Sequence, residues 1–250
     1  MSGHSKWSTI KRKKGKADAQ RGKIFTRLIR ELTIAARSGG GDPTSNPRLR
    51  TAIDNAKANN MPNANIERAI KKGTGDIPGE TIEEINYEGY APGGVALLIE
   101  TMTDNRNRTT SEVRHILTKL GGRMGEVGSV AYLFKQKGLI VVEKRDGLSE
   151  DDLIMIALDA GAEDVSDEGD SWEITTDPSA VGEVTAALKG AGIVPDEAEV
   201  VRLPMTTVPL GRDAAGKVLR MVEELEDNDD VHRVSANFDI PDEFLEELSS

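Results

Sequence analysis

Between Leu139 and Leu203 the chain passes through six element signals in an order that few folds accommodate. Leu139–Glu143 reads as a strand, and Ser149–Ala160 as a helix opened by Ser149 and Asp152. Strands follow near Ala162–Val165 and at Trp172–Thr176, then a helix from Asp177-Pro178 to Lys189, then a strand at Glu199–Leu203. The order β-α-β-β-α-β is that of the split βαβ, ferredoxin-like unit. This unit predicts an α+β fold with antiparallel pairing.

The flanking segments read as one further αβ layer. Val95–Met102 is a compact apolar strand, Thr109–Leu120 a helix with a Thr109/Glu112 capping pair, and Ser129–Phe134 a strand. Gly121-Gly122 ends that helix. Arg212–Glu226 reads as a helix and Val231–Phe238 as a strand. The two flanks together complete a second sandwich, so the 137–203 unit is expected as an insertion in a discontinuous domain of residues 77–136 plus 204–250. A chain that is 37% hydrophobic and only 4% aromatic suits several small cores better than one large core.

Upstream the period is helical. Ile24, Leu28 and Leu32, with Phe25 and Ile29, form a stripe ending at Gly39–Gly41. Asn46-Pro47 opens a second helix through Leu49, Ala52, Ile53 and Ala56. A third runs from Asn63 to Lys72 and stops at Gly73. Residues 1–76 are therefore expected as a basic arm followed by a three-helix domain.

Charge divides at the same place. Residues 1–76 carry 17 Lys/Arg against 6 Asp/Glu, a net of +11, while residues 77–250 carry a net of −22. A basic segment on an acidic body is the footprint of a polyanion partner, most often nucleic acid. The expected contacts are Lys6, Lys11, Arg12, Lys13, Lys14, Lys16, Arg21, Lys23 and Arg27, with Trp7 among them to stack on a base or insert into a groove. Arg48, Arg50, Lys57, Arg68, Lys71 and Lys72 extend the surface over the second and third helices. Asn55, Asn59, Asn60, Asn63 and Asn65 read equally as base-edge contacts or as caps and turns. Arg106 and Arg108 sit at a strand-to-helix junction whose free N–H groups suit a phosphate, although a well-capped turn explains the junction as well.

Several chemistries find no support. There is no cysteine, hence no thiolate nucleophile, disulfide or Cys-based metal site. His4, His115 and His232 lack a second histidine at metal-ligand spacing. Gly121, Gly122, Gly125 and Gly128 follow a helix and precede a strand, the reverse of a nucleotide loop, so they read as a flexible turn. No catalytic residue, metal or cofactor is expected. With neither a membrane-spanning stretch nor a secretory leader visible, a cytoplasmic protein is expected.

Four stretches carry a family resemblance: GHSKW at 3–7, SGGGDPTSNPRLRTAIDNAKANNMPNANIERAIKKGTG at 38–75, YEGYAPGGVALLIETMTDNRNRT at 87–109, and GGRMGEVGSVAYLF at 121–134. In these the chain resembles the YebC/PmpR family, essentially over its whole length. The resemblance implies three domains, one helical and two αβ with one inserted in the other. It also implies a DNA-binding transcriptional regulator, or alternatively a ribosome- or ribosomal-RNA-binding translation factor, the mitochondrial relative being a translational activator. A small-molecule-sensing module is a third reading, suggested by the ferredoxin-like unit alone. Oligomeric state is not legible in the sequence.

Overall fold

Three helices with alanine-rich inner faces come first, one of 22 residues and two of 12. The computed structural model describes residues 18–79, 81–145, 147–241 and 244, and begins with α1 (Asp18–Gly39), α2 (Pro47–Ala58) and α3 (Asn63–Thr74). Leu32, Ala35 and Ala36 of α1 close on Leu49, Ala52 and Ala56 of α2 and on Ile66 and Ala69 of α3. Small side chains let the axes approach closely. At Gly73 the approach is limiting, because a Cβ there would stand 2.3 Å from the Thr33 carbonyl oxygen. Asn46 caps α2 by accepting from Leu49 N at 3.0 Å, and its amide donates to Ala35 O and Gly40 O at 2.8 Å each. One buried side chain thus ends α1 and starts α2.

The chain continues through β1 (Glu83–Tyr90), β2 (Ala96–Thr103), α4 (Arg106–Lys119) and β3 (Arg123–Met124). It then builds a second compact unit, residues 133–205, from β4 (Phe134–Glu143), α5 (Glu150–Asp159), β5 (Ala162–Asp167), β6 (Ser171–Thr176), α6 (Val181–Gly190) and β7 (Glu197–Pro204). It returns to the first unit as β8 (Val208–Pro209), α7 (Arg212–Glu226), β9 (Val231–Ala236) and β10 (Phe238–Asp239). The fold is α+β: a helical N-terminal domain and two αβ domains, one inserted in the other.

In the first unit the sheet order is β3-β1-β2-β9, antiparallel throughout. Leu97 and Ile99 of β2 face Val113 and Leu117 of α4 and Val218, Val222 and Leu225 of α7, forming the main core. α1 lies against β2 as well. In the second unit the order is β5-β6-β4-β7, the ferredoxin-like arrangement. Ile140, Val142 and Ile174 pack there on Leu153 and Ala157 of α5 and Val184 and Leu188 of α6. Phe134 pairs with Pro204, and Met205 N donates to Leu133 O at 2.8 Å, so the strands that enter and leave this unit lie side by side.

Strands β1, β3 and β8 were not singled out in the sequence, and three further elements differ from its reading. α4 starts at Arg106 with Asn105 as its cap, because the Thr109 hydroxyl is drawn to a buried carboxylate instead of capping. Residues 129–133 form no strand but a turn and a single 3-10 turn at Ala131–Leu133, since their amides go to a side chain of β1. α6 starts at Val181, after a turn in which Asp177 accepts from Ser179 N at 2.9 Å. No helix among the described residues is long and apolar enough to cross a membrane.

Candidate nucleic-acid interface

The structure divides the basic residues into two populations. The first is held by protein acceptors. Lys23 of α1 donates to Asp227 O at 3.0 Å, and Arg27 and Arg30 donate to Glu226 O and Asp229 O. These carbonyls lie at the C-terminus of α7 and in the turn that follows, where the helix dipole favours cations. Burial pushes the Arg27 guanidinium pKa down, despite the nearby charges of Glu226 and Asp227. Arg30 Nη2 also lies 3.0 Å from Asp230 Oδ1.

Asp230 is buried and is the hub of this cluster. Arg108 Nη2 reaches its two carboxylate oxygens at 2.9 and 2.8 Å, and also Asp104 at 2.8 Å. Thr109 Oγ1 donates to Asp230 at 2.7 Å, and Thr103 Oγ1 at 3.2 Å. Burial pushes the Asp230 carboxyl up, but hydrogen bonds from Thr109 and Arg108 and the charges of Arg30 and Arg108 outweigh it, so its pKa falls below the ordinary value. The same contacts, Asp230 first, raise the pKa of Arg108. Arg108 is therefore held by carboxylates at the junction where a phosphate contact was considered.

Arg48 behaves likewise. It pairs with Glu31 of α1 at 2.8 and 3.1 Å and with Glu84 of β1 at 2.6 Å, joining three elements. Arg50 folds back onto Pro43 O and Thr44 O at 3.0 and 3.1 Å.

The second population is exposed, apart from half-buried Lys72. Lys57, Arg68, Lys71, Lys72 and Arg106 carry side-chain cations with no hydrogen bond or ion pair among the described residues. Arg68, Lys71 and Lys72 share one stripe of α3 at i, i+3 and i+4. α3 starts behind Pro62 without a side-chain cap, and its first turn has no acidic residue. Arg37, at the exposed last turn of α1, belongs with this population and was not singled out from the sequence. Arg21 lies on α1, while Lys6, Trp7, Lys11, Arg12, Lys13, Lys14 and Lys16 fall outside the described residues. Of the asparagines, Asn59 donates to Asn55 O at 2.9 Å and Asn60 adopts a φ of 57°, which are turn duties. Asn63 and Asn65 are exposed on α3.

The glycine run at 121–128 is a pinned turn, not a loose one. Buried Glu88 of β1 accepts from Gly128 N at 2.6 Å, Val130 N at 2.5 Å and Ala131 N at 2.8 Å. Gly125 N donates to Glu88 O at 2.8 Å, and Tyr90 Oη to Ser129 O at 3.1 Å. Burial pushes the Glu88 carboxyl up, but these amides overcome it and the pKa is lowered. Amides that a phosphate loop would aim at a ligand are thus spent on an internal carboxylate.

What sequence reading missed is the acidic half of each pair: Glu31, Glu84, Glu88 and Asp230. Glu84, Glu88 and Asp230 were read only as part of the acidic residues 77–250. Among the described residues no group of three or more His, Asp or Glu is placed to hold a metal ion.

Comparison with known proteins follows the same division of the chain. The model of the TACO1/YebC protein N-terminal domain matches residues 5–76, and that of the TACO1/YebC second and third domain matches residues 82–238. A probable transcriptional regulatory protein of Pelotomaculum thermopropionicum is 59% identical over 243 residues, covering 97% of this chain and 100% of the relative. One of Geobacter sp. strain M21 is 56% identical over 248 residues, covering 99% and 100%. The crystal structure of a conserved hypothetical protein from Aquifex aeolicus superposes with a TM-score of 0.84 at 50% identity, covering 91% of this chain and 93% of that one.

Proposed function

Since the chain belongs to the TACO1/YebC family, whose members matched above are named probable transcriptional regulatory proteins, we propose that it is a DNA-binding regulator of transcription. The observation that carries this reading is the sorting of cations. Lys23, Arg27, Arg30, Arg48 and Arg108 close on protein acceptors, whereas Lys57, Arg68, Lys71 and Lys72 on the helical domain have no partner among the described residues. The second group and the basic residues 6–16 hold the phosphate backbone. Asn63 and Asn65, beside that stripe, are the candidates for base edges. The roles are those of binding and positioning; no reaction is assigned.

Binding to a DNA duplex, measured by fluorescence anisotropy against salt, tests the reading. Each phosphate contact adds about 0.9 to the slope of log K on log salt. Replacing Arg68, Lys71 and Lys72 with alanine should lower the slope by about 2.7 for three contacts. Arg48→Ala and Arg108→Ala should leave the slope unchanged while lowering stability. An unchanged slope in the triple variant would overturn the α3 interface. In growing cells, crosslinking should enrich promoter DNA; enrichment of ribosomal RNA instead would sink the transcriptional reading.

A further inference from the structure

The turn that joins α2 to α3, residues 59–62, is built for a sharp change of direction. Asn60 takes the left-handed conformation, φ 57°, that such turns usually give to glycine. Met61 follows it into the core, and its N–H donates back to Ala56 O at 2.9 Å. Ala56 before the turn and Ile66 and Ala69 after it are buried in one cluster with Leu32, Ala35 and Ala36 of α1. Both helices pack on α1. Two helices, a tight turn and a third helix bracing both make the layout of a helix-turn-helix unit.

The outer face of α3 carries an unusual set of side chains. Ile66, Ala69 and Ile70 pack inward, so Ala64, Glu67, Arg68 and Lys71 lie on the opposite side, with Asn63 and Asn65 at its edges. All six are exposed. Glu67 is the only acidic residue of α3, and it makes no ion pair among the described residues although cations surround it. Against phosphate alone that carboxylate is unfavourable. A base edge reverses the sign, because cytosine N4 offers an amino group in the major groove from which a carboxylate accepts. Asparagine matches adenine N6 and N7 in the same groove, and alanine meets the thymine methyl there. Ala64 also lets the helix backbone approach closely. Lys57 lies in the last turn of α2, the helix that crosses the sugar-phosphate backbone in such units.

We infer that α2 and α3 form a helix-turn-helix in which α3 enters the major groove of duplex DNA. Asn63, Ala64 and Glu67 face base edges, Glu67 accepting from the N4 amine of a cytosine. Lys57, Arg68, Lys71 and Lys72 hold the flanking phosphates. An α-helix fits the roughly 12 Å major groove of B-form DNA, but neither its roughly 6 Å minor groove nor the deep, narrow major groove of A-form RNA. The inference rests on the DNA-binding reading above and adds to it the groove and the base.

Two duplexes of one sequence decide the groove. In the second, every cytosine carries a glucosylated hydroxymethyl group at C5, which fills the major groove and leaves the phosphates unchanged. In anisotropy titrations the full chain should bind this duplex at least about tenfold more weakly. Equal affinity for the two would overturn the major-groove docking and leave the DNA-binding reading standing, whereas binding to neither would remove both. Selection from a library of randomised duplexes then tests the base. The wild-type chain should enrich sites with a fixed cytosine, preferred by about 5- to 150-fold, and Glu67→Gln should lose the preference at that position alone. Glu67 is exposed, so the variant should keep the wild-type melting temperature. It should also bind random-sequence duplex more tightly, since a negative charge leaves the surface that meets phosphate. A fixed cytosine that survives Glu67→Gln, or a wild-type chain that enriches no sequence, overturns the role of Glu67.

Discussion

Neutralising Asp230 removes a buried partner from two cations at once. Arg30 and Arg108 both close on this carboxylate, and its loss leaves Arg30 without an ion-pair partner among the described residues and Arg108 with Asp104 alone. Asp230→Asn should therefore cost about 3–5 kcal/mol, read as a lower urea midpoint. The pH dependence follows from the depressed pKa of the carboxyl. Its stabilisation is complete above the ordinary carboxylate value of about 4 and drains away as pH falls through the lower, folded value. The wild-type chain should thus lose stability on that acid limb more steeply than Asp230→Asn. Equal slopes would show that Asp230 is not the titrating group. Glu88 has the same sign of shift for a different reason, backbone amides rather than arginines. Glu88→Gln should speed hydrogen exchange at Gly128, Val130 and Ala131, while Gly125 N, which bonds the Glu88 carbonyl, should remain protected.

At the level of elements, the α1–α3 contact depends on the absence of a side chain. A Cβ at Gly73 meets the Thr33 carbonyl, a backbone atom that cannot swing aside. Gly73→Ala should destabilise the chain by about 1–3 kcal/mol, although alanine is the better helix former, and the loss of melting temperature would show it. Elements with a strong local period were legible in the sequence. The α1 stripe, the Asn46-Pro47 start of α2, all of α7 and the β-α-β-β-α-β order between residues 134 and 204 came through because each is written in neighbouring residues. Elements whose hydrogen bonds are claimed from afar were not. Thr109 and Glu112 mimic a capping box, yet the hydroxyl answers Asp230, 121 positions on. The amides of 128–131 look available for a strand, yet Glu88 takes three of them. The basic residues followed the same rule. The sequence showed where cations concentrate, but the partners that engage Arg48 and Arg108 include Glu84, 36 residues away, and Asp230, 122 away.

On the scale of the whole molecule, charge and connectivity meet in the second unit. Its entering and leaving strands are hydrogen-bonded neighbours, so a short Gly-Ser linker can join Tyr132 to Thr206 across the gap that removal of residues 133–205 would leave. The shortened chain should keep the helical content and cooperative unfolding of the first unit. It should also bind duplex more tightly, because a net charge of −11 leaves with the excised residues. Anisotropy titrations on the two proteins at matched salt would decide this; weaker binding would mean that the acidic unit assists the contact. The interruption also sets an order of manufacture. α7 and β9, which supply Val218, Val222, Leu225 and Val234 to the first core, are synthesised after residue 205. The nascent chain thus completes its inserted unit while the surrounding one still lacks a helix, a strand and Asp230. Until that last turn is made, Arg30 lacks its carboxylate and Arg108 has only Asp104, and α1 and α4 wait for the end of translation to be fastened together through Asp230.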